Sequence, residues 1–147
     1  MGAATTTPLE VHGLSTDLSV TPGSEMDTFS VSGTSNGTRK WKYSLTRRAA
    51  HMLWYRLTWI LFPERSPRVT GMAATAPLRP LTLTTIAAFV EVAHRPDQKV
   101  FNITGWNGTA LWRFDLDDPA ARQLWAALDL ALYPAGWSGT SITIKGS

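Results

Sequence analysis

Two alternating runs, Val100–Trp106 and Thr109–Leu116, flank the dipeptide Asn107-Gly108. Both turn residues tolerate the left-handed backbone of a tight type I′ turn, which commits this stretch to a β-hairpin. A two-residue loop places Phe101 opposite Phe114, Ile103 opposite Trp112 and Gly105 opposite Ala110. These pairs share one face, while Asn102–Arg113 and Val100–Asp115 take the other. A hairpin with one apolar face is marginal alone and must be covered by more strands or a helix.

An earlier pair of runs, Asp27–Gly33 and Thr38–Leu45, surrounds Ser35-Asn36-Gly37. A three-residue loop needs its last residue left-handed, which Gly37 allows, and it pairs Val31 with Trp41 and Phe29 with Tyr43. A two-residue Asn-Gly loop would instead set Val31 against Lys42 and mix the faces. Thr46 caps a helix that runs to about Phe62 and is stopped by Pro63. Asp118, with Pro119 at the first helical position, caps a second helix. Its residues Ala121, Leu124, Trp125, Leu128, Ala131 and Leu132 form a single apolar stripe. Leu81–His94 has helical spacing at Ile86, Phe89, Val90 and Ala93, but its Thr, Val and Ile content and the turn at His94-Arg95-Pro96-Asp97 favour a strand. A last strand is expected at Ser141–Lys145.

The fold expected is α+β: an antiparallel sheet built from two β-hairpins plus added strands, with two amphipathic helices packed on it. Residues 1–24 read as an extended N-terminal arm, in which only Leu9–Val11 and Leu18–Val20 suggest short strands. Residues 25–147 then form a single α+β domain. Residues 63–80, with four prolines and Gly71, read as a long surface loop. No internal repeat of motif quality stands out, although the order strand, hairpin, helix occurs twice.

Charge is distributed unevenly. Residues 1–34 sum to −4, residues 35–80 to +8 and residues 81–147 to −1. Such asymmetry marks either an electrostatic contact surface or an acidic arm folded over the basic middle of its own chain. The absence of cysteine removes disulfides, thiolate metal sites and cysteine nucleophiles. With no signal peptide and no apolar run long enough for a transmembrane span, the chain is expected to be cytoplasmic. Without a secretion signal, the sequons at Asn36, Asn102 and Asn107 are read as turn and strand residues rather than glycosylation sites.

Catalytic patterns are missing. There is no nucleophile elbow, no phosphate-cradling glycine loop and no dinucleotide fingerprint. His12, His51 and His94 lie in three different segments, which is not a paired-ligand spacing. Asp115, Asp117 and Asp118 are close in sequence, but alternation turns Asp115 outward and Asp118 is assigned to the helix cap. A non-enzymatic chain with no cofactor and no metal is therefore expected.

Two surfaces suggest contacts. On the first helix, Ala50, Leu53, Trp54, Leu57, Ile60 and Leu61 make one broad stripe, and Met52, Tyr55, Trp59 and Phe62 make another nearly opposite it. A surface helix needs one apolar side, and aromatic and methionine residues are enriched where proteins meet. The second surface is basic: Arg39, Lys40 and Lys42 interleave with aromatic residues, and Arg47 and Arg48 open the helix, where free N–H groups favour anions. The expectation is a structural or adaptor subunit of a larger assembly, binding other protein chains, itself or another kind, through the aromatic helix side and the arm. The alternative is a module that binds nucleic acid or another polyanion through the basic segment 39–48.

Overall fold

The computed structural model describes residues 9–23, 27–65 and 86–133. The first half comprises β1 (Glu10–Pro22), β2 (Thr28–Ser35), β3 (Arg39–Thr46) and α1 (Arg47–Leu61), followed by one 3₁₀ turn at Pro63–Arg65. The second half comprises β4 (Ile86–Ala87), β5 (Phe89–Arg95), β6 (Val100–Asn107), β7 (Thr109–Leu116) and α2 (Asp118–Leu132). The expected strand at Ser141–Lys145, and residues 1–8 and 66–85 of the expected arm, loop and strand, lie outside the described residues.

The fold is α+β, with both hairpins and both helices present, but the sheet is mixed rather than antiparallel. The seven strands of the described residues run in the order β4-β3-β2-β1-β7-β6-β5, and β1 and β7, like β3 and β4, pair in parallel. Only Ala88 separates β4 from β5, and its N–H donates to the Trp106 carbonyl at 2.9 Å. One continuous segment therefore bonds to β3 at its start and to β6 along its length. This joins the two ends of the sheet, and the strands close into a barrel.

β1 corrects the expected arm. It sits between β2 and β7 in the middle of the strand order, with Leu18 buried in the core. Its register with β2 shifts between Thr16 and Ser19, and Asp17 there has a φ of 55°. The bulge breaks the period-two alternation, so one long strand reads in sequence as two short ones.

Both hairpins keep the expected faces but are displaced by two residues. Gly33 faces Trp41, Val31 faces Tyr43 and Phe29 faces Leu45. Gly105 faces Trp112, Ile103 faces Phe114 and Phe101 faces Leu116. The physical reason is the indole. Each tryptophan ring lies over the glycine opposite it, where a Cβ would overlap the ring. The loops adjust to suit. Asn36 and Gly37 are both left-handed, at 54° and 76°, and form the tight turn rejected above, with Thr38 as the extra residue that restores the faces. At the second tip Asn107 pairs with Thr109 around Gly108 alone, and a bulge follows. The side chain of Asn107 donates to the Ile86 carbonyl at 2.9 Å.

The halves share one βββα arrangement, with β4 and β5 as one interrupted strand; the sequence shows the repeated order of strand, hairpin and helix but no repeat of motif quality. Phe29 and Phe101, Gly33 and Gly105, and Trp41 and Trp112 occupy matching places in the two hairpins. Asn36-Gly37-Thr38 recurs as Asn107-Gly108-Thr109. In the helices, Leu53, Trp54, Leu57 and Leu61 recur as Leu124, Trp125, Leu128 and Leu132. Contacts are reciprocal, as in a two-fold dimer: α1 packs on β5, α2 on β1, and the helices on each other. Trp54 Nε1 donates to Asp129 at 3.1 Å, while Trp125 Nε1 donates to Thr58, the counterpart of Asp129, at 2.8 Å. Thr46 caps α1 as expected, accepting from the Ala49 N–H at 3.0 Å. The cap of α2 is Asp117, one residue before the position expected, and it accepts from the Ala120 N–H at 2.9 Å. Asp118 is the first helical residue and pairs with Arg122 one turn on at 2.7 Å.

Candidate functional site

α1 buries Ala49, Ala50, Leu53, Trp54, Leu57, Thr58 and Leu61, so the first stripe faces the core. The second stripe divides. Trp59 is 41% exposed, and the half-buried Tyr55 meets it edge-on with ring centroids 6.2 Å apart. Met52 is half-buried. Phe62 belongs to the helix pair instead. Its ring lies 4.6 Å from that of Trp125, under the Arg122 guanidinium at 5.4 Å. The place of Trp59 is taken on α2 by Leu130, which is 68% exposed. Beside it, a groove of about 260 Å³ runs between α2 and β1, lined by Leu18, Val20, Pro22, Phe29, Ala127, Leu130 and Ala131, with Ser19 at its rim.

The expected basic surface is two places, not one. Lys40 and Lys42 face outward on β3 with Arg39 at its start, while Trp41 and Tyr43 turn inward as expected. Arg47 and Arg48 lie beyond the far end of that strand, roughly 20 Å from Lys40 at ~3.3 Å per residue. Arg47 is engaged within the chain: its guanidinium pairs with Asp27 at 3.0 Å and lies 5.1 Å over the Phe29 ring. An acid of the first segment thus neutralises a base of the middle one. Lys40 and Lys42 line an open cleft of about 470 Å³ together with Ser32, Thr34 and Asp17.

Sequence reasoning missed a third cluster, because two of its residues lie in the supposed arm. Glu10 and His12, two apart on β1, point to the side of the sheet that carries Tyr43 of β3. The Tyr43 hydroxyl donates to Glu10 at 2.5 Å and lies 2.6 Å from His12 Nε2. A hydroxyl has one proton, so His12 donates through Nε2 and its Nδ1 is left as an acceptor. That Nδ1 and the Trp112 Nε1 are buried with no hydrogen-bond partner among the described residues. Tyr43 stacks on Trp112 at 5.0 Å, and His12 on Trp41 at 5.7 Å. Burial, and then the Arg39 charge, lowers the pKa of His12. Burial, and then the hydrogen bond to Glu10, raises that of Tyr43. The second half carries Phe114 where the first has Tyr43. The one signal available in the sequence was the two-residue spacing of Glu10 and His12.

A smaller pair joins the second turn of α1 to the C-terminal end of α2. The His51 and Tyr133 rings stack at 5.7 Å, with His51 Nε2 3.3 Å from the hydroxyl. Burial, followed by the charge of Arg47, lowers the His51 pKa. Burial, followed by the charge of Asp129, pushes Tyr133 up to about 12. Among the described residues no helix is long and apolar enough to cross a membrane. No family model, curated protein or solved structure matches the chain.

Proposed function

We propose that this chain is a non-enzymatic structural or adaptor subunit that binds another protein chain through the outer side of α1. The observation that carries this reading is Trp59, a large aromatic residue 41% exposed on a helix whose opposite side is fully packed. Tyr55, edge-on at 6.2 Å, holds the ring in place and reduces the entropy lost on contact. Aromatic anchors of this kind supply most of the energy of small interfaces. The contact set is Tyr55 and Trp59 with Met52 at its edge, and Phe62 is left to the helix pair. With Trp59 intact, a photoreactive amino acid at Met52, at the edge of the contact set, should crosslink to a polypeptide in cells that make this chain, whereas one at the exposed Asp97 should not. Equal labelling from both positions, or none from position 52, defeats the reading.

The second reading, a polyanion-binding module, is favoured by the open cleft that presents Lys40 and Lys42 beside the Ser32 and Thr34 hydroxyls. Asp17 in the same cleft and the Arg47–Asp27 pair weaken it. Binding of this kind falls steeply with salt, and removing Arg39, Lys40 and Lys42 should flatten that slope. Absence of nucleic-acid binding at ~50 mM salt removes this reading.

A further inference from the structure

We propose that Asn36 is a site of spontaneous deamidation, at which the folded chain is modified by attack of the Gly37 backbone nitrogen, and that the fold keeps the matching Asn107 inert. The site is the tip of the β2–β3 hairpin and stands apart from both readings of the function.

The chain has three asparagines, and two of them open the same tripeptide, Asn36-Gly37-Thr38 and Asn107-Gly108-Thr109. Glycine obstructs the nitrogen that follows an asparagine least, because it has no Cβ. Both glycines are left-handed, at 76° and 81°, and a Cβ at either would meet nothing within 4 Å. Sequence, glycine conformation and open space are therefore alike at the two tips. What differs is the asparagine. Asn107 is half-buried, and its side-chain nitrogen donates to the Ile86 carbonyl at 2.9 Å, which ties the amide to β4. Asn36 is exposed, and among the described residues no hydrogen bond holds its side chain. The bond across its turn is donated by Thr38, to the Ser35 carbonyl at 3.2 Å, and does not engage the Gly37 N–H. Asn102, the third, is buried, bonded to both Arg95 and Asp115, and followed by the β-branched Ile103.

The reaction needs water and no other reagent. The Gly37 nitrogen gives up its proton to base and attacks Cγ of Asn36. A C–N bond forms there, the bond from Cγ to the side-chain nitrogen breaks, and ammonia leaves. Water then opens the cyclic imide. Breaking the new bond leaves aspartate; breaking the original peptide bond leaves isoaspartate, whose backbone runs through the former side chain. Hairpin tips with few buried contacts open locally, and that motion brings nitrogen and Cγ together. At Asn107 the same motion must first break the bond to Ile86.

Either product sets a carboxylate beside the Ser35–Arg39 pair, at the basic end of β3. Aspartate tolerates the φ of 54° found at this position, so that product keeps the turn. Isoaspartate lengthens the backbone of a loop whose size sets the Val31–Tyr43 register.

The test keeps the purified full chain at physiological temperature in neutral and in mildly alkaline heavy-oxygen water, followed by digestion in acid and sequencing by mass spectrometry. Asn36 should be converted, faster at the higher pH, into two products of equal mass that each carry one heavy oxygen. The variant Asn36→Asp supplies the standard that identifies the aspartate product. Asn107 should react at least ~fivefold more slowly, the factor that one hydrogen bond is worth. A second arm unfolds the chain in guanidinium chloride, where both tripeptides are released and their rates should converge. An Asn36 that stays intact in the folded chain overturns the proposal, and so does an Asn107 that keeps pace with it there. Rates that remain apart in the unfolded chain overturn it as well, because the fold is then not what protects Asn107.

Discussion

Leu57 and Trp59 stand two positions apart on one helix and are surrounded differently. Leu57 is fully buried, and Leu57→Ala should cost ~2–5 kcal/mol in urea denaturation, as core truncations do. Trp59→Ala should cost the isolated chain less than ~1 kcal/mol, because much of the ring already meets water. Equal losses would show that both sides of α1 are internal. His12 offers a test by pH. Its folded pKa lies below the ordinary 6.5, so the unfolded chain takes up a proton first. The sign follows: stability is complete above 6.5 and is lost as pH falls from there toward the lowered folded value. His51 acts in the same direction. Thermal melting should drop between pH 7 and about pH 5, within the histidine range, and His12→Gln should flatten part of the drop. An unchanged pH profile in that variant means the imidazole is not held neutral by burial.

The reciprocal tryptophan bonds decide how the helices meet. Trp125 and Thr58 are buried, so Thr58→Val removes the hydroxyl that accepts from the Trp125 indole N–H and should cost ~1–3 kcal/mol. A near-zero loss in chemical denaturation would show that the bond contributes nothing. At this scale the sequence was largely legible. Turn dipeptides, helix caps and apolar periodicity located the β2–β3 and β6–β7 hairpins and both α-helices, because those signals are local, whereas the antiparallel pairing of β1 with β2 was not read. Pairing between elements was not legible. Periodicity shows which side of α1 is buried but not that β5 lies beneath it. The bulge at Asp17 interrupted the alternation of β1, and its parallel partner β7 is far away in sequence. The candidate site suffered in proportion. Trp59 and Tyr55 follow from helical spacing alone, whereas Phe62 was misplaced because its partner, Trp125, is on the other helix. Glu10, His12 and Tyr43 meet only once the sheet has curled.

In the whole molecule, each helix packs on strands of both halves and most extensively on one of the other half. α1 covers a strand of the second half and α2 a strand of the first, so the two βββα units are intertwined rather than stacked. Removing residues 1–24 should therefore abolish the native fold instead of trimming a tether. The measurement is near-ultraviolet circular dichroism, in which a tryptophan-rich core gives a strong signal. A truncated chain that keeps the wild-type spectrum and melting temperature would place β1 outside the cooperative unit.

The closure of the ring through β1 and β7 has a consequence for how the protein is made. A ribosome releases β1 before the other described strands and β7 after all of them. Until then, a nascent chain carries one side of β1 with its backbone groups unpaired. Unpaired strand edges recruit neighbouring chains on the same polysome, and slow translation lengthens the time for which they are open. Rare codons between residues 66 and 100 should therefore lower the yield of soluble protein more than the same codons placed after Leu116.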